Sequence, residues 1–241
     1  MRGIIDLPCL DKNPATPFPP SSQALISPNG LLAWGGDLHP QRLLAAYRAG
    51  IFPWYSDNQP ILWWSPTPRC ILFPSEVHVS KRTRRRYNSG RFTLTADTAF
   101  RQVIQACAQA RGDAEGTWIT QEMATAYEEL HRMGHAHSVE AWLDGQLAGG
   151  IYGLAIGQVF FGESMFTGQT DAGKICLIAL CRQLQRWNFE MLDSQVSNPH
   201  MLSMGAREIS RQEFEKRLAE GIACTRPAES WTDLFKPEAT L

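Results

Sequence analysis

The sequence predicts an α+β protein with a small N-terminal domain over residues 1–67 and a larger domain over residues 68–241. Prolines crowd the start of the chain and recur up to this boundary, which leaves little room there for regular helix. Beyond it, segments with helical spacing of apolar residues alternate with strand-like runs joined by tight turns. Because tight turns join antiparallel neighbours, the larger domain should combine helices with a mostly antiparallel sheet.

The N-terminal domain is predicted to contain one short helix. Pro40 stands near a favoured first helical position, and Gly50 supplies the stop after residues whose apolar side chains share one face. The run that follows, residues 51–69, carries four prolines and three tryptophans. Since proline cannot donate to a sheet ladder, we expect neither a central strand nor a long helix in this run.

Two helices are predicted near the start of the larger domain, after a short strand. Asp97 can cap the first helix, in which apolar residues recur at helical spacing from Phe100 to Cys107. Thr120 can cap the second, and Gly134 should end it. Each of these helices should bury one face.

The second half of the larger domain predicts a hairpin, a long helix, a strand and a final helix. The Asp-Gly dipeptide at 144–145 supplies the positive φ angles of a tight turn between two strand-like runs. A helix should cover about residues 171–187, and a strand should end at Asp193. Ser210 and Glu213 form a capping box for the last helix.

The net charge, the cysteines and the lengths of the apolar runs indicate the compartment in which the protein should be found. A formal net charge of -1 gives no overall attraction to nucleic acid or membranes, so any polyanion site must be local. Six cysteines form no C-x-x-C pair, and no signal-peptide pattern opens the sequence. The longest strongly apolar run, residues 175–181, is far shorter than the ~20 residues of a membrane helix. We expect a cytoplasmic protein without membrane contact and, by default, a monomer.

Residues 168–175, GQTDAGKI, resemble a phosphate-binding loop, G-x-x-x-x-G-K-[S/T], at every position but the last. Lys174 follows an apolar strand and begins a helix, as in such loops. Against this reading, Ile175 has no oxygen to offer a magnesium ion, and the preceding strands are expected to be joined by hairpins rather than parallel crossovers. We interpret the stretch as a loop in which Asp171 helps to cap the next helix.

Three histidines at positions 131, 135 and 137 lie close together in the sequence. Gly134 should end the helix before the second of them, which spoils an i, i+4 metal pair, and no third ligand is evident. We therefore predict no metal site.

A strongly basic run occupies residues 81–91, and the sequence has no acidic residue between Val77 and Ala96. Solvated faces usually mix both signs of charge, so this run favours contact with phosphates. Tryptophans surround it in the sequence, and most should be core residues, although one or two exposed ones could stack on a nucleobase. They are Trp54, Trp63, Trp64 and Trp118.

Several separate motifs, in order and register from about Asn29 to Ile209, resemble one family, the leucyl/phenylalanyl-tRNA-protein transferases. The motifs are GLLAWGGDL, LLAAYRAGIFPWY, ILWWSPTPR, GTWIT, AYEELHRMGHAHSVE, GGIYG, FGESMF and DSQVSNPHMLSMGA. The resemblance implies an enzyme that moves leucine, phenylalanine or methionine from its tRNA to a protein beginning with arginine or lysine, which marks that protein for degradation. It also implies that the second domain is GNAT-like, that is, similar to acyl-CoA N-acyltransferases.

The chemistry that the resemblance implies needs no cofactor. The donor is an ester that is already activated, and the acceptor is an α-amine whose pKa of about 7.7–8 leaves part of it neutral. The site must hold the amine against the carbonyl, accept its proton and stabilise the oxyanion. We therefore expect no ATP, no metal and no covalent nucleophile.

The resemblance assigns the catalytic work to Asp193 and Gln195, which should share a face as alternate residues of a strand. Gln195 would orient the attacking amine through its carbonyl, while Asp193 polarises the amine or receives charge. For Asp193, a helix cap or a core salt bridge remains an alternative. Glu163 is assigned to the positive side chain of the acceptor, with an ordinary surface carboxylate as its alternative.

The resemblance also implies residues for the donor. The apolar pocket for its side chain should be formed by Ile151, Phe160, Met165 and Leu177. The β-branched Ile151 stands where methionine is usual, and a stiffer wall should narrow donor choice. Its tRNA should be contacted by Trp54, Trp118, Lys81, Arg82, Arg84 and Arg85.

The sequence departs from the family pattern around the GQTDAGKI stretch. Thr167-Gly168 stands where Ser-Arg is common, and Ala172-Gly173-Lys174 where Ala-Ser-Lys is common, so a cation beside the site is lost. A tRNA-binding protein without catalysis is therefore one alternative. An acyl-CoA-dependent acyltransferase is another, but its R/Q-x-x-G-x-G/A phosphate loop is missing.

Overall fold

The computed structural model describes residues 7–115, 119–224 and 230–241, which form two sheets with helices packed around them. The first sheet has four short strands in the order β1-β2-β4-β3. Its elements are β1 (Cys9–Leu10), β2 (Leu31–Gly35), helix α1 (Pro40–Arg48), β3 (Phe52–Pro53) and β4 (Leu62–Trp64).

Strand β4 shows that the expectation of no central strand in residues 51–69 is wrong. It pairs antiparallel with β2 on one side and with β3 on the other. Pro60 and Pro66 lie outside β4, so each of the three residues of the strand keeps the backbone N–H that sheet pairing needs. The next strand along the chain belongs to the second sheet, and a domain boundary near residue 67 remains our prediction.

The second sheet has seven strands in the order β11-β5-β10-β9-β8-β7-β6. They are β5 (Arg69–Leu72), β6 (Thr93–Ala96), β7 (Ala136–Leu143), β8 (Gln146–Ile156), β9 (Val159–Thr167), β10 (Met191–Asp193) and β11 (Arg207–Ile209). All neighbours run antiparallel except β9 and β10, which are parallel. The predicted fold class is confirmed as α+β, with a small N-terminal sheet followed by a mostly antiparallel sheet.

Seven helices follow the first sheet in the described part of the chain. They are α2 (Lys81–Asn88), α3 (Phe100–Glu115), α4 (Gln121–Arg132), α5 (Ala172–Arg186), α6 (Pro199–Ser203), α7 (Arg211–Ala223) and α8 (Trp231–Leu234). None of the helices in the described ranges combines the length and apolarity that crossing a bilayer requires. One buried apolar cluster joins α3 and α4 to the first sheet, and the other includes α5.

Several local predictions are confirmed by the backbone. Helix α1 begins at Pro40, and the Asp-Gly dipeptide at 144–145 makes the β7–β8 turn with φ angles of 51° and 75°. The Thr120 hydroxyl caps α4 by accepting a hydrogen bond from the Met123 amide at 3.1 Å. Ser210 caps α7 in the same way. These signals are local, so the sequence alone is sufficient to place them.

The prediction that Asp97 caps α3 is wrong. Asp97 has a φ of 56° just after β6, and its carboxylate accepts a hydrogen bond from the Ser138 amide at 2.8 Å. Its second oxygen lies 2.7 Å from Nδ1 of His137. The side chain therefore extends the β6–β7 pairing instead of capping the helix, which begins three residues later at Phe100.

The GQTDAGKI stretch runs from the end of β9 into the first turn of α5. The strands before it, β7 to β9, are joined by hairpins as expected, but this alone does not exclude a nucleotide loop. Helix α5 connects two parallel strands, as the helix after a phosphate loop does. The backbone argues against such a loop more directly. The amides of Gly168 and Gln169 both donate to the carbonyl of Ala148 at 2.9 Å, and the amide of Ala172 donates to Gln169. A phosphate cradle needs such amides free to face the anion.

Asp171 does not cap α5, so this part of the interpretation is also wrong. Its φ is 66°, and its side chain makes no capping hydrogen bond. Instead the carboxylate lies 3.3 Å from Nε of Arg86 and 3.9 Å from Nε of Arg82. Asp171 thus ties the loop before α5 to the basic helix α2.

Candidate active site

A cavity of about 480 Å³ opens where β9 and β10 separate. These parallel strands pair only as far as Phe161 and Asp193, and the residues that follow diverge and line the cavity. Ligands commonly bind beyond the carboxyl ends of parallel strands, where the strands diverge. The lining residues are Phe52, Pro53, Trp54, Ile151, Gly162, Glu163, Ser164, Met165, Leu192, Ser194, Gln195, Val196, Asn198, His200 and Met201.

Glu163 is the acidic residue of the cavity lining. The Tyr47 hydroxyl donates to its Oε1 at 2.7 Å, and the Tyr127 hydroxyl donates to its Oε2 at 2.9 Å. The two hydroxyls also contact each other. The amide nitrogen of Gln195 completes the set by donating to Oε1 at 3.2 Å. Helices α1 and α4 thus hold the carboxylate of β9 in one orientation.

The surroundings of Glu163 raise its pKa to about 7. Burial is the main cause, and the negative charge of Asp193 acts in the same direction. The hydroxyls of Tyr47 and Tyr127 and the positive charge of Arg69 oppose the rise without cancelling it. Near neutral pH, Glu163 therefore exchanges easily between its neutral and charged forms, and a cation in the cavity would favour the charged one.

Asp193 lies behind the cavity lining and is fully buried. Arg69 of β5 donates two hydrogen bonds to the carboxylate of Asp193, from Nε to Oδ1 at 2.9 Å and from Nη2 to Oδ2 at 2.7 Å. The guanidinium is itself stacked between the rings of Phe52 and Phe214, 4.9 and 4.5 Å from their centres. Of the roles considered for Asp193, the core salt bridge is the one that this geometry shows.

Gln195 lies two residues beyond Asp193 but not on the same strand face, so that expectation is wrong. Strand β10 ends at Asp193, and Gln195 has a φ of 60°. Its backbone amide donates to Oδ1 of Asp193 at 2.9 Å, while its side chain reaches the cavity. The buried carboxylate therefore holds the turn that presents Gln195 to the cavity.

The four predicted pocket residues fall into two groups. Ile151 and Met165 line the cavity. Phe160 and Leu177 do not; they are buried in the apolar cluster that contains Ile151. The β8–β9 register shifts between the Tyr152–Ser164 and Gly153–Gly162 pairs, which places a bulge at Glu163. Phe160 and Met165 pair with Ala155 and Ile151 of β8, so they lie on the same face of the sheet although five positions separate them. Phe160 and Leu177 therefore lie behind the residues that line the cavity.

The residues predicted to contact tRNA lie mostly at the surface. Trp54 lies at the cavity rim, 45% exposed, and its ring is 5.6 Å from that of Trp64. Trp118 lies outside the described residues. Lys81, Arg82, Arg84 and Arg85 are all exposed on α2. Three of these four, not Arg84, also line a concave surface with Arg86, Ser89 and Arg91.

Sequence reasoning missed Tyr47, Tyr127 and Arg69. Nothing in the spacing of the two tyrosines along the sequence reveals that their hydroxyls meet at one carboxylate. For Arg69 the sequence does hold a signal, since it stands directly before the apolar run Cys70 to Leu72, which is typical of a buried strand. A buried arginine requires an acidic partner, although the sequence does not say which. Within the described ranges, no cluster of three or more metal-binding side chains occurs.

Comparison with known proteins identifies the family. Residues 71–219 match the family model for leucyl/phenylalanyl-tRNA protein transferase, and residues 36–67 match the model for its N-terminal domain. The chain is 54% identical over 216 residues to the leucyl/phenylalanyl-tRNA--protein transferase of Nitrosomonas europaea, covering 90% of this chain and 92% of that protein. It is 52% identical over 227 residues to the transferase of Xanthomonas campestris pv. campestris, covering 94% and 91%.

Solved structures give weaker matches. An aminoglycoside acetyltransferase from an uncultured soil metagenomic sample has a TM-score of 0.39 and 14% identity, covering 48% of this chain and 86% of its own. A GCN5-related N-acetyltransferase from Kribbella flavida has a TM-score of 0.37 and 12% identity, covering 69% and 60%. Both family models match, and about half of the aligned positions are identical to those of relatives that align with nine tenths of the chain. The chain therefore belongs to the leucyl/phenylalanyl-tRNA protein transferase family and is an aminoacyltransferase.

Proposed function

We propose that this protein transfers leucine, phenylalanine or methionine from aminoacyl-tRNA to the α-amino group of proteins that begin with arginine or lysine. Its product would enter the N-degron route of protein degradation in the cytoplasm. The observation that carries the proposal is a single cavity in which apolar walls adjoin a half-buried carboxylate, Glu163. Such a cavity suits an apolar donor side chain and a cationic acceptor side by side.

The donor side chain is placed against Ile151 and Met165. Both are apolar and line the cavity, so a charged side chain would have no partner on this wall. The unbranched Met165 can adapt to different shapes, whereas the β-branched Ile151 is stiff. The wall therefore admits several apolar side chains with only weak discrimination among them.

The tRNA is placed at the cavity mouth and on α2. Trp54 has the exposure needed to stack on the terminal base. Phosphates of the acceptor stem would then meet the exposed cations of α2, including Lys81, Arg82 and Arg85. Nucleic-acid binding is thus confined to a local patch on a protein whose net charge is only -1.

The acceptor is placed at Glu163. A guanidinium or ammonium entering the cavity would meet a carboxylate whose other contacts are hydrogen-bond donors already in place. The partner lowers the cost of keeping Glu163 charged, since an opposite charge favours ionisation. An uncharged acceptor side chain would not lower the cost of keeping Glu163 charged. This difference in binding free energy is the proposed source of acceptor selectivity.

Gln195 is placed beside the attacking amine. Its amide nitrogen donates to Glu163, which leaves its carbonyl oxygen to accept a hydrogen bond from the neutral α-amine. The amine attacks the ester carbonyl, so a C–N bond forms and the C–O bond to the ribose breaks. The amine's proton ends on the released ribose oxygen, and the reaction needs no other reactant. Asp193 acts as a positioning residue, since it holds the backbone of Gln195.

A transfer assay tests the proposal. The protein is incubated with leucyl-tRNA and a peptide beginning with arginine, and the product is detected by a mass increase of one leucine residue. A peptide identical except for an N-terminal alanine is the matched control. Binding of leucyl-tRNA without any transfer to the arginine peptide would overturn the proposal in favour of a non-catalytic tRNA-binding protein.

A further inference from the structure

Asp171 places a negative charge directly beside the basic helix α2. Its carboxylate lies 3.3 Å from Nε of Arg86 and 3.9 Å from Nε of Arg82. Both arginines line the concave surface of α2, which is completed by Lys81, Arg85, Ser89 and Arg91. An anion so close to a surface that is proposed to bind phosphates should repel them, unless its contacts with the arginines serve the binding.

The geometry around Arg86 shows how such contacts can serve. Nη1 of Arg86 donates to the carbonyl of Thr170 at 2.9 Å, so two consecutive residues, Thr170 and Asp171, hold one guanidinium. A guanidinium has five N–H donors, so these contacts use only part of its capacity. The Arg86 side chain is 27% exposed, against 75% for Arg82. Arg86 is thus a cation of the concave surface whose orientation is set by the protein.

The loop that holds Arg86 is itself anchored to the sheet that carries the cavity. The amides of residues 168–169 both donate to the carbonyl of Ala148 at 2.9 Å. Met165, which lines the cavity, is six positions before Asp171, so their Cα atoms lie at most about 22 Å apart. If the ester of a tRNA lies in the cavity, phosphates that reach Arg86 should therefore belong to its acceptor arm.

We propose that Asp171 is a positioning residue for tRNA binding, which orients the guanidinium of Arg86 toward phosphates of the acceptor arm. This role is opposite in sign to the effect of its charge alone. Charges within about 10 Å of each other still interact at about 0.1 M salt, so removing an anion would by itself tighten phosphate binding. Removing the contact that orients Arg86 should weaken it. The inference rests on the proposed function, since it assumes that tRNA binds at α2.

The test is filter binding of leucyl-tRNA at several salt concentrations. Asp171→Asn removes the charge but keeps the shape, and asparagine tolerates the φ of 66° at this position as well as aspartate does. The variant should bind leucyl-tRNA about 3- to 10-fold more weakly near 0.1 M salt. The slope of log K against log salt should decrease in magnitude by about 1, as for the loss of one phosphate contact. In the transfer assay, KM for leucyl-tRNA should rise while kcat changes less than about 2-fold.

Glu238→Gln is the matched control. Glu238 lies 3.4 Å from Nη1 of Arg186 and 3.9 Å from Nε of Arg182, and neither arginine lines the concave surface. This change should alter neither the affinity nor the salt slope. A donor without acceptor-arm phosphates, 3′-O-phenylalanyl-adenosine, separates positioning from damage to the cavity. Asp171→Asn should alter kcat/KM for this donor less than about 2-fold, because the contact with phosphates is absent from the start.

A double mutant tests whether Asp171 acts through Arg86. Arg86→Gln should itself weaken leucyl-tRNA binding, and adding Asp171→Asn should weaken it no further. If the asparagine variant does not fold, Arg86→Lys takes its place, since lysine keeps the charge but cannot make both loop contacts in the same geometry.

Four results would overturn the inference. They are tighter or unchanged leucyl-tRNA binding by Asp171→Asn, a full further loss in the Arg86→Gln background, an equal loss with the small donor, or unchanged binding by Arg86→Lys. Failure of the unaltered protein to bind leucyl-tRNA would instead overturn the proposed function itself.

Discussion

Replacing Glu163 by glutamine should separate stability from activity in this cavity. Glutamine has nearly the same shape, and its carbonyl can still accept hydrogen bonds from Tyr47 or Tyr127. It cannot carry a negative charge at any pH. The variant should therefore fold, gain stability at neutral and alkaline pH, and lose the carboxylate that we propose binds the acceptor.

The size of the stability effect follows from the pKa. Glu163 titrates at about 7 in the folded protein, against an ordinary value of 4.5. Because the folded pKa is the higher one, protonation favours the folded state, and this contribution is full below pH 4.5 and lost as the pH rises through 7. At about 1.4 kcal/mol per pKa unit, ionising this half-buried group costs at most about 3–4 kcal/mol above pH 7. The glutamine variant avoids this cost.

The assay is thermal unfolding of both proteins at several pH values between 4.5 and 8.5. The Tm of Glu163→Gln relative to the unaltered protein should rise by roughly 5–10 °C across this range. Glu220→Gln, which removes an exposed carboxylate from α7, is the control and should show no such trend. A Tm difference that does not change with pH would refute the reasoning, since Glu163 would then titrate normally. In the transfer assay, the variant should lose at least about 10-fold in kcat/KM for the arginine peptide.

Three further predictions concern the salt bridge, the basic helix and the donor wall. Asp193→Asn leaves a buried guanidinium without its counter-charge and should cost about 3–5 kcal/mol of unfolding free energy, together with a lower kcat as the turn at Gln195 loosens. Neutralising Arg84 and Arg85 to glutamine should weaken tRNA binding and reduce the slope of log K against log salt by about 1.5, as measured by filter binding. Ile151→Met, which removes a β-branched wall, should raise the use of phenylalanine relative to leucine by about 3- to 10-fold in kcat/KM.

Each of these predictions can be contradicted by a specific result, and the basic helix has a matched control. Arg101 and Arg132 are exposed cations on α3 and α4, and their double replacement by glutamine removes the same charge without touching α2. An equal change in salt slope for both double mutants would place the phosphates elsewhere. An unchanged Tm for Asp193→Asn would show that burial of the Arg69 guanidinium does not need the negative charge of Asp193. An unchanged donor ratio for Ile151→Met would mean that this wall does not contact the donor.

The sequence predicted those features that are fixed by neighbouring residues. A hairpin turn at 144–145, a helix cap at Thr120 and an amphipathic face on α4 each depend on a few adjacent positions. The parallel β9–β10 pair depends on residues about thirty positions apart and on a strand of only three residues. The strand that ends at Asp193 was predicted, but its pairing with β9 is a long-range contact that no local pattern reveals, so the site that opens beyond the pair could not be placed from the sequence.

The site residues show the same limit. The family resemblance named Glu163 and Gln195, which meet in the cavity, but the partners that set their chemistry are distant in sequence. Tyr47 lies 116 residues from Glu163, and Arg69 lies 124 residues from Asp193. Expectations based on strand alternation failed for Gln195 because β10 ends at Asp193. A pattern of period two is informative only while the strand continues.

The GQTDAGKI stretch shows how packing can produce a motif without its function. In this chain a Cβ atom at Gly173 would lie 2.4 Å from Oγ1 of Thr167 and 2.8 Å from the carbonyl of Phe166, so the close contact between α5 and the end of β9 leaves no space for a side chain beside Thr167. The glycine that completes the phosphate-loop pattern is thus explained by its contact with β9.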